Sequence, residues 1–340
     1  MKSPQIQFPQ WSASFYPLEW LIPRLPDLDR DCWLHSALSL QYPDYRDLDA
    51  WDEFRAVSRR LADQHLTYEI RERLRSFFSP VGSPYLIVEN LPIDPQLPPV
   101  PLDGTRPTGK KAVSEAVIAG LIGHRAEVLS YADEKAGSPI HEVAPVPGLE
   151  MTQSNAGRTP MEYHTDGAFL PARFRPKGLL LFGLLNVDTS TLVMPAEQLM
   201  DAASPALLDA LSKPWYRHAR PASFSSDAVP NPGPILWRGP YGFARVAAAS
   251  SAIEPLNATA REALNEFRQL CACLPPVRII IEPGTALLFR NNRVLHGRKV
   301  VGGDRWLQRV YFTESLEPFR TATHSDPRAF CFDVQALLQS

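Results

Sequence analysis

Tyr163-His164-Thr165-Asp166-Gly167-Ala168-Phe169, reached at the end of a strand-like run, is the stretch on which the reading of this chain turns. In an extended strand residues i and i+2 face the same way, so His164 and Asp166 present an imidazole and a carboxylate to one point. The chain has 340 residues with 8 histidines and 37 acidic residues, so about one His-x-Asp/Glu match arises by accident. A second match, His324-Ser325-Asp326, does occur, beside Pro327 and with no later histidine to complete a site. The first precedes a run of candidate strands and is followed far downstream by Val294-Leu295-His296-Gly297-Arg298.

Two histidines and one carboxylate on one side of a metal leave three positions open, which suits non-haem Fe(II) oxygen chemistry, whereas zinc favours a closed or single-water tetrahedral site. A 2-oxoglutarate cosubstrate would also need a cation for its distal carboxylate. Asp304-Arg305-Trp306-Leu307-Gln308-Arg309 follows His296 closely. On a strand Arg305, Leu307 and Arg309 share one face, and Trp306 and Gln308 take the other, so both guanidinium groups reach one cavity.

Composition narrows the partner. The chain is 44% apolar and 21% charged, with 35 basic against 37 acidic residues and no block of like charge, so nothing favours nucleic acid or a membrane surface and a small molecule is expected. Met1 to Gln7 lacks the apolar core of a signal peptide, and the longest apolar run, Gly178 to Leu185, is too short to span a bilayer, so a cytoplasmic protein is expected. Cys32, Cys271, Cys273 and Cys331 lack paired spacing and read as reduced.

Apolar spacing predicts helices within Asp47 to Ser79 and from Lys111 to Tyr131, with a strand at Tyr85 to Val88 between them. Short strands follow at Ile140 to Val143, Leu149 to Asn155, Leu179 to Leu185, Ile235 to Arg238, Tyr241 to Val246, Arg278 to Ile281, Ala286 to Arg290 and Leu307 to Thr313. Helices at Ala196 to Met200, Pro205 to Leu211 and Pro255 to Cys271 interrupt them. Such a series suggests a sandwich or barrel. Gln153 and Asn155 share a face of the second strand and are candidate substrate contacts, and the irregular stretches Pro92 to Pro107 and Ala219 to Pro234 are candidate lids. His35, His65, His124, His141 and His218 stand apart from carboxylates and read as structural.

These residues together resemble the iron(II)- and 2-oxoglutarate-dependent dioxygenases of the clavaminate synthase-like, taurine dioxygenase-related family. The resemblance rests on His164-Thr165-Asp166 with Ala168-Phe169 and Arg175-Pro176, on Pro283-Gly284, on Asn292 to Arg298 and on Asp304 to Arg309, covering Ile140 to Thr313. It implies a mainly β fold with flanking helices around a double-stranded β-helix, or jelly roll. One domain, 1–340, would then comprise a helical layer with one strand (1–135), the jelly-roll core with helical insertions (136–315) and a C-terminal extension (316–340). The resemblance further implies His164, Asp166 and His296 as iron ligands, Arg305 with Thr191 on 2-oxoglutarate, and Arg309 on a substrate carboxylate; the spacing after His296 leaves the roles of the two arginines open to exchange.

The implied activity consumes Fe(II)-bound 2-oxoglutarate and O2 to hydroxylate an unactivated C–H bond of an amino acid or an amino-acid-derived metabolite, such as a small or cyclic dipeptide, in secondary metabolism such as antibiotic biosynthesis. A monomer or homodimer is expected. Desaturation, epoxidation or ring formation would use the same cofactor cycle, a non-catalytic jelly-roll binding protein would keep only the shape, and a zinc hydrolase is a third option. Related halogenases lack the carboxylate that Asp166 supplies, so halogenation is disfavoured.

Overall fold

In a computed structural model, residues 18–221, 224, 229–249 and 253–340 are described. The chain opens with helices α1 (Leu18–Leu21), α2 (Asp27–Ala37), α3 (Leu48–His65) and α4 (Tyr68–Phe78), followed by strand β1 (Tyr85–Val88). Asp47 starts α3 by accepting from the Asp49 and Ala50 amides, which satisfies donors that a helix end leaves open. Helix α5 (Val113–Gly123) is buried on every side from Val113 to Ile122, as an all-round apolar helix must be. Gly120 lets it lie on α3: a Cβ there would meet the Ser58 carbonyl at 2.7 Å and the Ala62 Cβ at 2.8 Å.

The strands then follow as β2 (Glu127–Tyr131), β3 (His141–Val143), β4 (Met161–His164), β5 (Gly178–Asn186) and β6 (Ser190–Pro195). Helices α6 (Ala196–Ala202) and α7 (Pro205–Leu211) lead to β7 (Tyr216–His218), β8 (Leu236–Arg238), β9 (Ala244–Val246) and β10 (Ile253–Pro255). After α8 (Ala258–Cys273) come β11 (Val277–Ile280), β12 (Ala286–Arg290), β13 (Val294–Arg298) and β14 (Arg305–Thr313), then α9 (Glu317–Thr323), β15 (Cys331–Phe332) and α10 (Val334–Gln339).

The result is a mixed helix and sheet architecture. The larger sheet runs β1-β12-β5-β14, and β14 pairs with β3 along Leu307–Arg309 and with β2 along Tyr311–Thr313; β15 joins β2 in parallel and every other pairing is antiparallel. The smaller sheet is β11-β6-β13-β4, also antiparallel. The main core joins the N-terminal helices to the larger sheet, and a second core packs α6 to α8 against the smaller one. Among the described residues no helix is long and apolar enough to cross a membrane.

Three expectations need correction. Residues 111 to 131 do not form one helix: α5 ends at Gly123 and β2 begins at Glu127, because the apolar run there joins the sheet edge beside β14. Leu149 to Asn155 is not a strand but a compact series of turns, closed on itself by the Arg158 amide donating to the Glu150 carbonyl and the Val146 amide to the Ala156 carbonyl. Strand β6 stands where no strand was expected. The Pro92 to Pro107 loop is fastened against α5 through Arg106 to Glu115, and part of Ala219 to Pro234 lies outside the described residues.

Candidate metal centre

His164 ends β4 and pairs in register with His296 in the middle of β13, bringing the ring centroids to 4.1 Å. Asp166 does not share the strand face as its spacing suggested. It lies past the end of β4 in a turn, where Gly167 adopts a φ of +66°, a left-handed conformation that costs glycine nothing. The turn is clamped from two sides. Asn291 accepts from the Asp166 amide at 2.9 Å and donates to the Asp166 carbonyl at 2.8 Å and the Pro176 carbonyl at 3.0 Å. Thr165 donates its amide to the Ala248 carbonyl and accepts from the Ala248 amide.

The donor atoms converge. Asp166 Oδ1 lies 3.5 Å from His164 Nε2 and Oδ2 lies 3.9 Å from His296 Nε2, and the ligand atoms of the three residues all fall within 4.8 Å of one another. The Glu162 carbonyl is 2.8 Å from His164 Nδ1. A carbonyl only accepts, so Nδ1 carries a proton and Nε2 is the nitrogen left to face a metal. Burial, followed by the neighbouring His164, pushes His296 down to about 3 and keeps it neutral. Burial alone would raise Asp166, but the nearby positive charge of Arg309 helps to hold it well below the usual carboxylate range. Two imidazoles and one carboxylate on one side form a donor set that fits Fe(II). His324, by contrast, is exposed at the end of α9.

Strand β14 supplies the cations from the other sheet. Arg305 is buried, makes no ion pair among the described residues, and leaves its Nε without a partner. Burial and the nearby Arg298 push it down to about 9. A buried guanidinium without an acid is costly unless an anion arrives. The Thr191 hydroxyl on β6 is buried and unpartnered as well, and Thr191 sits opposite Arg298 in the register of β6 with β13. An orphaned cation and an orphaned hydroxyl suit a carboxylate ligand.

Arg309, the other cation on this face, is already engaged. Its Nη1 lies 3.4 Å from Asp166 Oδ2, and its Nη2 pairs with Glu134 and donates to His141 Nδ1 at 2.8 Å. Burial opposes its charge, yet Glu134, Tyr311 and Asp166 hold it above its ordinary value. Glu134 and His141 were not anticipated as site residues; the alternation of β3 against β14 was the one available signal for His141, and Glu134 offered none. Gln153 is exposed and Asn155 half-buried in the turn series, which Arg298 fastens by donating to the Ser154 and Thr159 carbonyls.

No protein-family model matches the chain. It is 28% identical over 251 residues to an L-asparagine oxygenase of Streptomyces coelicolor, covering 71% of this chain and 74% of that one. It is 25% identical over 316 residues to an enduracididine beta-hydroxylase of Streptomyces hygroscopicus, covering 79% and 88%. Among solved structures, an asparagine oxygenase in complex with Fe(II), 2S,3S-3-hydroxyasparagine and succinate superposes with a TM-score of 0.81 at 24% identity, covering 92% of this chain and 99% of that one. At that identity the likeness speaks to the fold.

Proposed function

We propose that this chain, a relative of the clavaminate synthase-like non-haem iron oxygenases, is an Fe(II)- and 2-oxoglutarate-dependent oxygenase that hydroxylates an unactivated C–H bond of an amino acid or a small amino-acid-derived metabolite. The observation that carries this reading is the meeting of a three-residue cluster, His164, Asp166 and His296, with a buried arginine, Arg305, that pairs with no acid among the described residues. The relatives' names, an asparagine oxygenase and an enduracididine hydroxylase, support the substrate class. When bound, Fe(II) and 2-oxoglutarate supply the activation of O2 that such a bond requires.

The chain's own share is binding, orientation and exclusion of water. In this reading Arg305 and Thr191 take the distal carboxylate of 2-oxoglutarate, and the Glu162 carbonyl holds His164 in the ligating tautomer. Arg309 takes a substrate carboxylate beside Asp166, with Gln153 and Asn155 as further substrate contacts on the loop that Arg298 fastens. Phe289, whose ring lies 4.7 Å from that of His296, helps to keep water from the ligands. We read the two antiparallel sheets as a double-stranded β-helix, with 136–315 as its core, 1–135 as a helical layer and 316–340 as an extension. The enzyme is read as a cytoplasmic monomer or homodimer of antibiotic biosynthesis.

Anaerobic reconstitution with Fe(II) and 2-oxoglutarate should give a visible metal-to-ligand charge-transfer band, and a panel of amino acids and dipeptides should raise succinate release. Folded protein that gives no band sinks the reading. His164→Ala and His296→Ala should each abolish the band while the circular dichroism of the metal-free protein stays as in the wild type.

A further inference from the structure

Behind β14, on the face turned away from the metal ligands, lies a buried polar cluster that the chemistry above does not use. Glu142 on β3 is its centre. The Trp306 indole N–H donates to Glu142 Oε2 at 2.5 Å, and Gln308 Nε2 donates to Glu142 Oε1 at 2.9 Å and to Glu115 Oε1 at 3.0 Å. Glu115 is held in turn by Lys110 and Arg106, each at 2.8 Å, and Lys110 also pairs with Asp94 at 2.9 Å. Glu142, Trp306, Gln308 and Glu115 are at most 3% exposed.

A buried carboxylate is expensive to keep, and apolar residues would fill this space at lower cost. What the carboxylate provides is two fixed acceptors for two alternate residues of one strand, Trp306 and Gln308. Trp306 and Gln308 are the residues that alternate with Arg305, Leu307 and Arg309, so holding the first pair fixes the rotation of the second set about the strand axis. Strand β3 acts on both faces at once: its register sets Glu142 against Gln308 on the rear face and His141 against Arg309 on the site face. This anchorage falls where it is needed, because β5 carries a bulge opposite Trp306 and Leu307 and the ladder on that side is irregular.

We propose that Glu142 is a positioning residue for the cosubstrate, holding β14 by Trp306 and Gln308 so that Arg305 and Arg309 project into the metal cavity from the opposite face. The proposal rests on the oxygenase reading only for the identity of the ligand; the anchoring itself concerns the protein alone. The charged and titratable groups around Glu142 are Glu115 on α5, Lys110 and Arg106 ahead of that helix, Tyr42 and Lys135. Burial, and then Glu115, pushes the Glu142 carboxyl up to about 7. A protonated carboxyl cannot accept equally at both oxygens, so the anchor weakens as Glu142 takes a proton.

The test is Glu142→Gln, which keeps the shape and removes one acceptor. In metal-free protein, hydrogen exchange of the Arg305–Arg309 amides should speed up about ten-fold while the β1 and β12 amides keep their wild-type rates, as expected for loss of one charge-assisted hydrogen bond. Anaerobic titration with Fe(II) present should show 2-oxoglutarate binding weakened about ten-fold. Wild-type affinity should also fall as pH drops below 7, and the variant should lack that step. Trp306→Phe, which deletes a single donor, should give a smaller change of the same kind, and it serves if the glutamine variant does not fold. Unchanged exchange over Arg305–Arg309 in a folded variant overturns the proposal. Wild-type protein that fails to bind 2-oxoglutarate overturns the functional reading instead, and the exchange comparison still decides the anchor.

Discussion

At the scale of single residues, Arg305 has what a proposed binding group would show and a stabilising one would not. Its guanidinium is buried with no acid paired to it among the described residues, and Arg298 adds a second positive charge nearby. A residue kept for stability would be paired; this one imposes a desolvation cost, which the carboxylate of the proposed cosubstrate would offset. Arg305→Met should therefore raise the melting temperature of the metal-free protein while weakening 2-oxoglutarate binding by roughly 10- to 100-fold, the scale of charge-assisted hydrogen bonds. A lower melting temperature with unchanged binding would contradict the assignment. Arg309 differs, since Glu134 and Asp166 already offset its charge, and a substrate carboxylate reaching it would meet a compensated guanidinium. From sequence the two arginines looked alike because strand alternation reports which way side chains face, not what they meet.

At the scale of elements, the site depends on turns more than on strands. The convergence of His164 and His296 was legible because residue types at suggestive positions point to a metal centre, and β14 because its alternation is plain. The route by which Asp166 joins them was not legible: a tripeptide reads the same whether its end is extended or turned, and what turns it is Asn291, 125 residues away. The turns at Leu149 to Asn155 were hidden likewise, since their period-two look is overridden by hydrogen bonds to Val146 and Arg158. Asn291→Ala would strip one acceptor and two donor contacts from the turn and leave the Asp166 amide without its partner. Urea unfolding should show a loss of about 3 kcal/mol, and Fe(II) affinity should fall with it. Retained Fe(II) affinity in a destabilised variant would mean that the turn holds its shape unaided.

At the scale of the whole molecule, buried titratable groups set the response to acid. Burial pushes His141 and His218 down to about 4, whereas an unfolded histidine titrates near 6.5. The unfolded chain takes up protons first, so the stability from these neutral imidazoles is complete above about pH 6.5 and is lost as the pH falls toward 4, roughly 2 kcal/mol each by pH 5. Glu142 works the other way. Its folded value, pushed up to about 7, lies above that of an unfolded glutamate, so the folded chain takes its proton first and acidification from pH 8 to 5 returns roughly 2 kcal/mol. Urea midpoints should thus fall modestly in the wild type between pH 8 and 5 and more steeply in Glu142→Gln. Parallel curves would show that Glu142 does not oppose the histidines. The Asn291 clamp has a further consequence, in time. A chain leaving the ribosome presents His164 and Asp166 on the order of ten seconds before Asn291 and His296 at ordinary synthesis rates, so the nascent protein carries two of the three candidate ligands without their clamp. If the site takes iron as proposed, the complete ligand set and its clamp come together only after Asn291 and His296 have emerged.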